Sequence, residues 1–178
     1  MKENMSPQIK CLITDFDETF FDTSLTTALR KEKEKDWDKI YSLVPQFKMY
    51  DGWREVLAYL KDNNIKLAVV SGAKTELLKR ALTHFGIETD AIVGFQWCYR
   101  KPNAKLLHMA LEQLGLDPSE AIVTGNSTKD EIQAQRAGVR FVAALWDSIY
   151  KEELMQRCEG AEKPQDLIKI ISDSAARM

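Results

Sequence analysis

Residues 9–19 read IKCLITDFDET, an apolar run that ends in two aspartates, Asp15 and Asp17. The apolar run predicts a buried strand that delivers both acids to its carboxyl end. In an open α/β sheet, ligands bind at that end of the strands. Two neighbouring carboxylates repel each other, so such a pair usually shares a proton or a cation. Taken alone, two acids after a strand more often belong to a solvated loop. If other functional residues lie beside them, the pair predicts metal binding or acid–base chemistry.

The size and composition are those of one globular domain. The chain has 178 residues, 44% of them hydrophobic and 29% charged, with a formal net charge of −2. The small net charge gives no reason to expect a nucleic-acid partner. No apolar run approaches the length of a membrane span, and residues 1–7 lack the apolar stretch of a secretory signal. The three cysteines are scattered, which is not a disulfide pattern, so we expect a cytoplasmic protein.

Short apolar runs alternate with amphipathic helical patterns along most of the chain. The predicted strands cover 9–14, 66–70, 91–93, 121–124 and 139–145. The predicted helices run from an N-cap at 51 to about 63, over 74–85, from 102 to a stop at 115, and over 128–137. Continuous apolar strands between such helices indicate an α/β fold with a mainly parallel sheet covered on both faces.

The segment 21–49 breaks this alternation. It has no strong strand pattern, and it carries a dense run of charges over 30–36. It is too long for an ordinary connection between a strand and a helix. One interpretation is a solvated surface helix; the other, which we favour, is a small cap or lid inserted directly after the acidic pair.

Three further polar signals follow predicted strands. Ser71-Gly72 could hold a phosphate through the hydroxyl and the backbone N–H groups, although Ser-Gly is also ordinary turn chemistry. Lys101, just before a proline, could place a charge against a phosphoryl group, although most lysines are solvated. Asp130 could serve a divalent cation or simply stabilise the first turn of a helix. All of them fall at strand ends, which makes coincidence a poor explanation.

In this order, the motifs resemble those of the haloacid dehalogenase-like hydrolases, most of which are phosphatases or phosphotransferases. Residues 15–19 are similar to the family's D-x-D-x-T loop, and residues 69–72, 100–102 and 125–130 to its second, third and fourth motifs. The resemblance covers nearly the whole chain as one domain. It implies a three-layer Rossmann-like core with an inserted cap, most like the phosphoglycolate phosphatase-like branch.

The resemblance also implies a mechanism and a cofactor. Asp15 would be the nucleophile that forms an aspartyl-phosphate, and Asp17 the general acid and base. Thr19, Ser71, Gly72 and Lys101 would bind the phosphate of a small phosphorylated substrate. Mg²⁺ would be held by Asp15, the backbone carbonyl of Asp17, Asn126 and Asp130.

The chain departs from the family pattern at two places. Asn126 stands where the family usually has an aspartate, so the metal site loses a negative charge and metal affinity should fall. The cap is also short, so exclusion of solvent would depend on the substrate or on a second subunit of a homo-oligomer.

Other functions remain open at this point. The main alternative is a catalytically weakened domain that binds phosphorylated ligands in a regulatory role, motivated by Asn126. A metal-free dehalogenase is disfavoured by Asp17, and a signalling receiver by the order of Lys101 before Asp130.

Overall fold

The computed structural model describes residues 8–176 of the chain. Its centre is a sheet of six parallel strands in the order β5-β4-β1-β6-β7-β8, and a separate pair, β2 and β3, is antiparallel. The eight strands are β1 (Cys11–Thr14), β2 (Phe21–Asp22), β3 (Lys48–Met49), β4 (Lys66–Val70), β5 (Ala91–Val93), β6 (Ala121–Gly125), β7 (Arg140–Ala144) and β8 (Gly160–Ala161). The expectation about a secretory signal concerns residues 1–7, which lie outside the described residues.

Within residues 8–176, eight α-helices accompany the strands, together with three short 3-10 turns. The helices are α1 (Thr27–Lys31), α2 (Trp37–Ser42), α3 (Trp53–Asp62), α4 (Thr75–His84), α5 (Lys105–Leu114), α6 (Thr128–Ala137), α7 (Lys151–Met155) and α8 (Asp166–Ala176). The 3-10 turns cover Ser24–Thr26, Val44–Gln46 and Pro118–Glu120.

Strand β1 lies in the middle of the sheet, and its alternating side chains join two different cores. Leu12 packs into one cluster with buried residues of α3, α4 and α8. Ile13 packs into the other with buried residues of α5 and α6. Successive side chains of a strand point to opposite faces, so a strand buried on both sides must be apolar throughout. The predicted three-layer α/β architecture is confirmed.

The predicted elements need three corrections. Helix α3 begins after Gly52 and not after a cap at Asp51, and α5 begins at Lys105 and not at Pro102. Helices α5 and α6 end as predicted, because Gly115 and Gly138 adopt the left-handed conformation that closes a helix. Elements α7, β8 and α8, which complete the carboxyl-terminal edge, were not predicted from the sequence.

Residues 21–49 form a compact insertion in the connection between the acidic loop after β1 and helix α3. The short strands β2 and β3 pair at its base, with Asp22 opposite Lys48. Helices α1 and α2 lie between these strands, and Ile40, Val44 and Phe47 are buried in the larger core. The insertion is therefore packed onto the domain, and the prediction that it has no strong strand missed the two-residue pair. No helix among residues 8–176 is long and apolar enough to cross a membrane.

Candidate active site

The sheet brings the predicted site residues to one edge. Thr14, the last residue of β1, pairs with Val69 of β4 and with Thr124 of β6. Asp15, Ser71 and Asn126 each follow the end of one of these three neighbouring strands. Parallel strands place their carboxyl ends at the same edge, which is where open α/β sheets bind ligands.

Lys101 links the first and last acids of the site. Its Nζ lies 2.7 Å from Oδ1 of Asp15 and 2.6 Å from Oδ1 of Asp130. All three side chains are largely buried, Asp130 most of all at 2% exposure. A lysine between two buried carboxylates offsets a repulsion that would otherwise be costly. Lys101 is thus brought into the site as predicted, with a structural partner on each side.

Burial and the nearby acids shift Asp15 toward its protonated form, so that both forms are present near neutral pH. Burial raises the pKa of Asp15 to about 7 from 3.8, and the opposing effect of Lys101 does not cancel the burial and the nearby charges of Asp130 and Asp17. Burial alone would lower the pKa of Lys101, but the two carboxylates raise it well above its usual value. A neutral Asp15 adds no charge to hold the Lys101 proton, so the ion pair with Asp130, the more deeply buried partner, is the main reason that the pKa of Lys101 is raised.

Asp130 is already fully engaged by the protein. Its Oδ2 accepts hydrogen bonds from the Ser127 hydroxyl at 2.6 Å and the Ser127 N–H at 3.1 Å, in a capping box at the start of α6. A side chain at Gly125 would place a Cβ 2.6 Å from the Asp130 side chain, so the close approach requires glycine there. The structure therefore places Asp130 in the site as a partner of Lys101 and Ser127. Its role as a metal ligand stays a prediction that would require those bonds to rearrange.

Asp17 lies beside Asp15 but faces the insertion. Arg30 of α1 forms two parallel hydrogen bonds to its carboxylate, at 2.5 Å and 2.8 Å, and the Thr23 hydroxyl donates a third at 2.6 Å. Burial would raise the pKa of Asp17, but these bonds and the charge of Arg30 outweigh it and lower the pKa. Asp17 is therefore ionised, with both carboxylate oxygens occupied.

Ser71 and Gly72 form the turn after β4. The Ser71 hydroxyl oxygen accepts a hydrogen bond from the N–H of Ala73 at 3.1 Å, which fixes the turn and leaves the hydroxyl proton free to donate. Both residues line the site cavity. This arrangement is compatible with the predicted phosphate contacts.

Thr19 is not among the residues that line the inner cavity, and its predicted role in phosphate binding stays a prediction. The residue is fully buried, and its carbonyl accepts hydrogen bonds from the indole N–H groups of Trp53 at 2.9 Å and Trp146 at 3.0 Å. Its hydroxyl is buried without a partner in the part of the chain that the structure describes. Thr19 fixes the turn behind the acids.

The remaining metal donors are Asp15, the Asp17 carbonyl and the Asn126 amide. All three supply oxygen, the donor that Mg²⁺ prefers. Asn126 lies at the end of β6, and its backbone carbonyl accepts a hydrogen bond from the Ser148 hydroxyl. Within residues 8–176, no group of three or more His, Cys, Asp or Glu side chains is arranged to hold a metal ion. The donor set thus suits Mg²⁺ in kind but carries little negative charge.

Two connected cavities lie over this edge. The inner cavity, about 370 Å³, is lined by the acids of the site together with Ser71 and Lys101. The outer cleft, about 660 Å³, lies between the insertion and the loop after β5. Asp17, Gly72, Phe95 and Arg100 line both, so a ligand can extend from one into the other. A third groove, about 750 Å³, includes Lys66 and Asp90 at the opposite edge of the sheet, away from all the predicted site residues.

Several site residues escaped the sequence analysis. Arg30 belongs to the charge run that resembles a solvated helix, and only the three-dimensional fold brings it to Asp17. Thr23 and Ser127 are polar residues in turns, and a helix-start pattern of Ser127 with Asp130 could have indicated the capping box.

Comparison with known proteins agrees with this geometry. The model of the haloacid dehalogenase-like hydrolase family matches residues 17–144. A PpaX protein of Caldanaerobacter subterraneus subsp. tengcongensis is 38% identical over 68% of this chain and 54% of its own length. Pyrophosphatase PpaX of Oceanobacillus iheyensis is 28% identical over 96% of this chain and 78% of its own. Phosphoglycolate phosphatase of Aquifex aeolicus is 31% identical over 66% of this chain and 56% of its own.

Solved structures show the same fold. CbbY from Rhodobacter sphaeroides, in complex with phosphate, superposes with a TM-score of 0.75 at 17% identity, covering 90% of this chain and 96% of that one. The chain spans little more than half the length of the Caldanaerobacter and Aquifex relatives. The family match nevertheless covers most of the domain, from Asp17 through the second, third and fourth motifs, and the chain belongs to the haloacid dehalogenase-like hydrolase family.

Proposed function

We propose that this protein is a Mg²⁺-dependent phosphatase that hydrolyses a small phosphorylated metabolite through an aspartyl-phosphate. The observation that carries the proposal is the pair of buried acids at the tip of β1, with Lys101 bridging Asp15 to Asp130. Relatives named phosphoglycolate phosphatase and pyrophosphatase support this class of reaction.

In the first step, a carboxylate oxygen of Asp15 bonds to phosphorus while the bond from phosphorus to the leaving oxygen breaks. The protonated form of Asp17 supplies the proton that the leaving oxygen needs. In the second step, Asp17 takes a proton from water, whose oxygen attacks phosphorus and releases Asp15 and inorganic phosphate. Because Arg30 occupies Asp17 in the structure, Arg30 must move before Asp17 can serve as the acid.

The inner cavity supplies the groups that would hold the phosphoryl oxygens. The Ser71 hydroxyl, the N–H groups of the turn at Gly72, and the Lys101 ammonium all line it or border it. Charge on the equatorial oxygens is largest during transfer, so donors fixed by the fold act most strongly at that moment. Since Lys101 is already bound to two carboxylates, it is positioned before the substrate arrives.

The residues present fit a magnesium ion in donor type. Asp15, the Asp17 backbone carbonyl and Asn126 would hold it, and Asp130 would contribute if its bonds to Ser127 or Lys101 opened. When bound, the ion supplies positive charge that reduces the repulsion between the Asp15 carboxylate and the substrate. Phosphatases of this family generally use Mg²⁺, and the neutral amide of Asn126 leads us to expect weak affinity here.

The proposal is tested by turnover of a panel of phosphate monoesters and pyrophosphate, with and without Mg²⁺. We expect Mg²⁺-dependent hydrolysis and a phosphoenzyme that survives acid quenching and is cleaved by hydroxylamine. Asp15→Asn should abolish both. Retained hydrolysis in that variant would remove Asp15 from the nucleophilic role.

A second candidate function is a regulatory domain that binds phosphorylated ligands without turnover. Two observations favour it: Asn126 weakens the metal site, and both oxygens of Asp17 are held by Arg30 and Thr23. Ligand binding in a calorimeter without hydrolysis over hours would support this function against the first.

The insertion at 21–49 is proposed to act as the lid of the site, since Arg30 and Trp37 form one wall of the outer cleft. A cytoplasmic location and a homo-oligomeric state are likewise proposals. Exposed apolar side chains such as Ile149 and Met155 offer a contact surface for self-association, which light scattering would detect.

A further inference from the structure

The outer cleft is strongly cationic although the chain as a whole carries a net charge of −2. Two carboxylates, Asp17 and Glu18, line the cleft. The cations that line it are Arg30, Lys31, Lys35, Lys74 and Arg100. A concave surface with this excess of positive charge attracts anions.

Most of these cations have no acidic partner. Among residues 8–176, Arg30 is the only cation of the cleft with a carboxylate within 4 Å. Lys74 lies 4.0 Å above the Trp37 ring, and the Arg100 guanidinium lies 5.4 Å from the centre of the Phe95 ring. Aromatic faces hold cations in place without neutralising them, so their charge stays available to a ligand.

Arg30 differs because it bridges the cleft and the acid of the site. Its two N–H groups occupy both oxygens of Asp17, and the same side chain lines the outer cleft. While this pair holds, Asp17 stays ionised with an Arg30 N–H group on each oxygen, so it has no proton to give to the leaving group of a substrate in the inner cavity. The Arg30 side chain is one fifth exposed, so it has access to a ligand in the cleft.

We propose that Arg30 is a specificity residue that exchanges Asp17 for a second anionic group on the substrate. The substrate would place its phosphoryl group in the inner cavity, and a carboxylate or second phosphoryl group in the outer cleft. The second anion would draw Arg30 away and free Asp17, so only substrates with a charged leaving group would complete the site. This inference rests on the proposed phosphatase function and names the class of substrate.

The test compares four substrates on the same enzyme. Phosphoglycolate carries a second carboxylate, 1,3-propanediol bisphosphate carries a second phosphoryl group, and ethyl phosphate carries neither. p-Nitrophenyl phosphate has a leaving group that needs no proton from Asp17. We expect kcat/KM for at least one of the two anionic substrates to exceed that for ethyl phosphate by about 100-fold, a typical effect of charge-assisted hydrogen bonds. The better of the two anionic substrates identifies the anion.

The variant Arg30→Met separates the two roles of this side chain. We expect kcat/KM for the preferred anionic substrate to fall by about 10–100-fold. The kcat/KM for ethyl phosphate should rise, because Arg30 no longer occupies Asp17. The kcat/KM for p-nitrophenyl phosphate should change little, because its leaving group needs no proton. Lys74→Met removes a cleft cation that does not touch Asp17. This variant should lower kcat/KM only for the anionic substrate. Arg54→Met is a charge control, because Arg54 lies exposed at the opposite edge, where it donates to the Phe85 carbonyl.

Equal losses on all four substrates in Arg30→Met, with an unchanged thermal melt, would overturn the inference. If Arg30→Met kept the wild-type preference for the better anionic substrate over ethyl phosphate, the inference would be overturned as well. If no substrate is hydrolysed, the phosphatase proposal fails. The role of Arg30 in recognising a second anion is then tested by ligand binding. Calorimetry should then show 3-phosphonopropionate binding about tenfold or more tightly than propylphosphonate, with the difference lost in Arg30→Met; equal binding would refute it.

Discussion

Asp15 should reduce the stability of the fold it serves. Its pKa is raised by burial to about 7, whereas the same group in the unfolded chain has a value near 3.8. Between these two values the native state keeps a proton that the unfolded chain has released, so the free energy of unfolding falls as the pH rises. A difference of roughly three pKa units corresponds to about 4 kcal/mol at high pH. The groups that face Asp15 are Asp17, Lys101 and Asp130, and only Lys101 opposes the shift.

Asp15→Asn removes the titration and keeps the size of the side chain. We expect the free energy of unfolding of the wild type to fall between pH 5 and pH 8 by about 2–3 kcal/mol more than that of Asp15→Asn. Any loss of the hydrogen bond to Lys101 is common to both pH values and cancels in this comparison. The assay is urea denaturation followed by circular dichroism, in a chelator that removes divalent cations. Asp62→Asn, at an exposed position at the end of α3, is the matched control.

Two results would refute this reasoning. Parallel pH profiles for the wild type and Asp15→Asn would show that Asp15 does not keep its proton in the native state. If the free energy of unfolding of the wild type instead rose with pH relative to that of Asp15→Asn, the pKa of Asp15 would be lower in the folded than in the unfolded chain. That result would show that the effect of Lys101 on this pKa is larger than the effect of burial. Repeating the measurement with Mg²⁺ adds a check on the metal site, because a bound cation favours the carboxylate and should reduce the difference between the two proteins.

Three further predictions concern the neighbours of Asp15. Asn126→Asp adds a charge to the proposed metal site and should tighten Mg²⁺ binding by about tenfold, or near 1.4 kcal/mol, in a calorimetric titration; no binding by either form at millimolar Mg²⁺ would exclude the proposed mechanism. Lys101→Ala should weaken inhibition by inorganic phosphate about tenfold or more, and it should also lower stability at pH 8 by ~3 kcal/mol, because Asp15 and Asp130 would be left facing each other. Asp130→Asn breaks the ion pair with Lys101 and part of the capping box, so we expect the free energy of unfolding in urea to fall by ~3 kcal/mol. An unchanged urea midpoint would contradict this prediction.

Much of the fold was predictable because strands buried on both faces leave a simple signal. The continuous apolar runs at β1, β4 and β6 fixed the centre of the sheet, and with it the edge where Asp15 and Ser71 lie. The carboxyl-terminal elements escaped prediction because β8 has only two residues and α7 five, too short for a periodic pattern.

The site was predictable where chemistry follows directly after a strand, and not where it comes from a distant helix face. Lys101 was expected near phosphate, but its two carboxylate partners depend on how α6 docks beside β1. Arg30 lies in a run of alternating charges, and nothing local distinguishes it from Lys31 or Lys33, which have the same type of charge. Only the packing of the insertion aims one of these side chains at Asp17. The phosphate contact of Thr19 stays a prediction, because a family motif names a position without saying whether its side chain or its backbone serves the site.

The four tryptophans of the chain form two pairs in different environments. Trp53 and Trp146 donate hydrogen bonds to the Thr19 carbonyl, away from the outer cleft. Trp53 is fully buried, and Trp146 is half-buried beside it with a hydrogen bond to the same carbonyl, so the emission of Trp53 should be the best shielded from solvent. Trp37 and Trp97 line the outer cleft, and Trp97 is 85% exposed. A quencher such as iodide should therefore reach Trp97 most and Trp53 least, and an occupied cleft should protect Trp97. Intrinsic fluorescence can thus report ligand binding against an internal reference, without a label and without turnover.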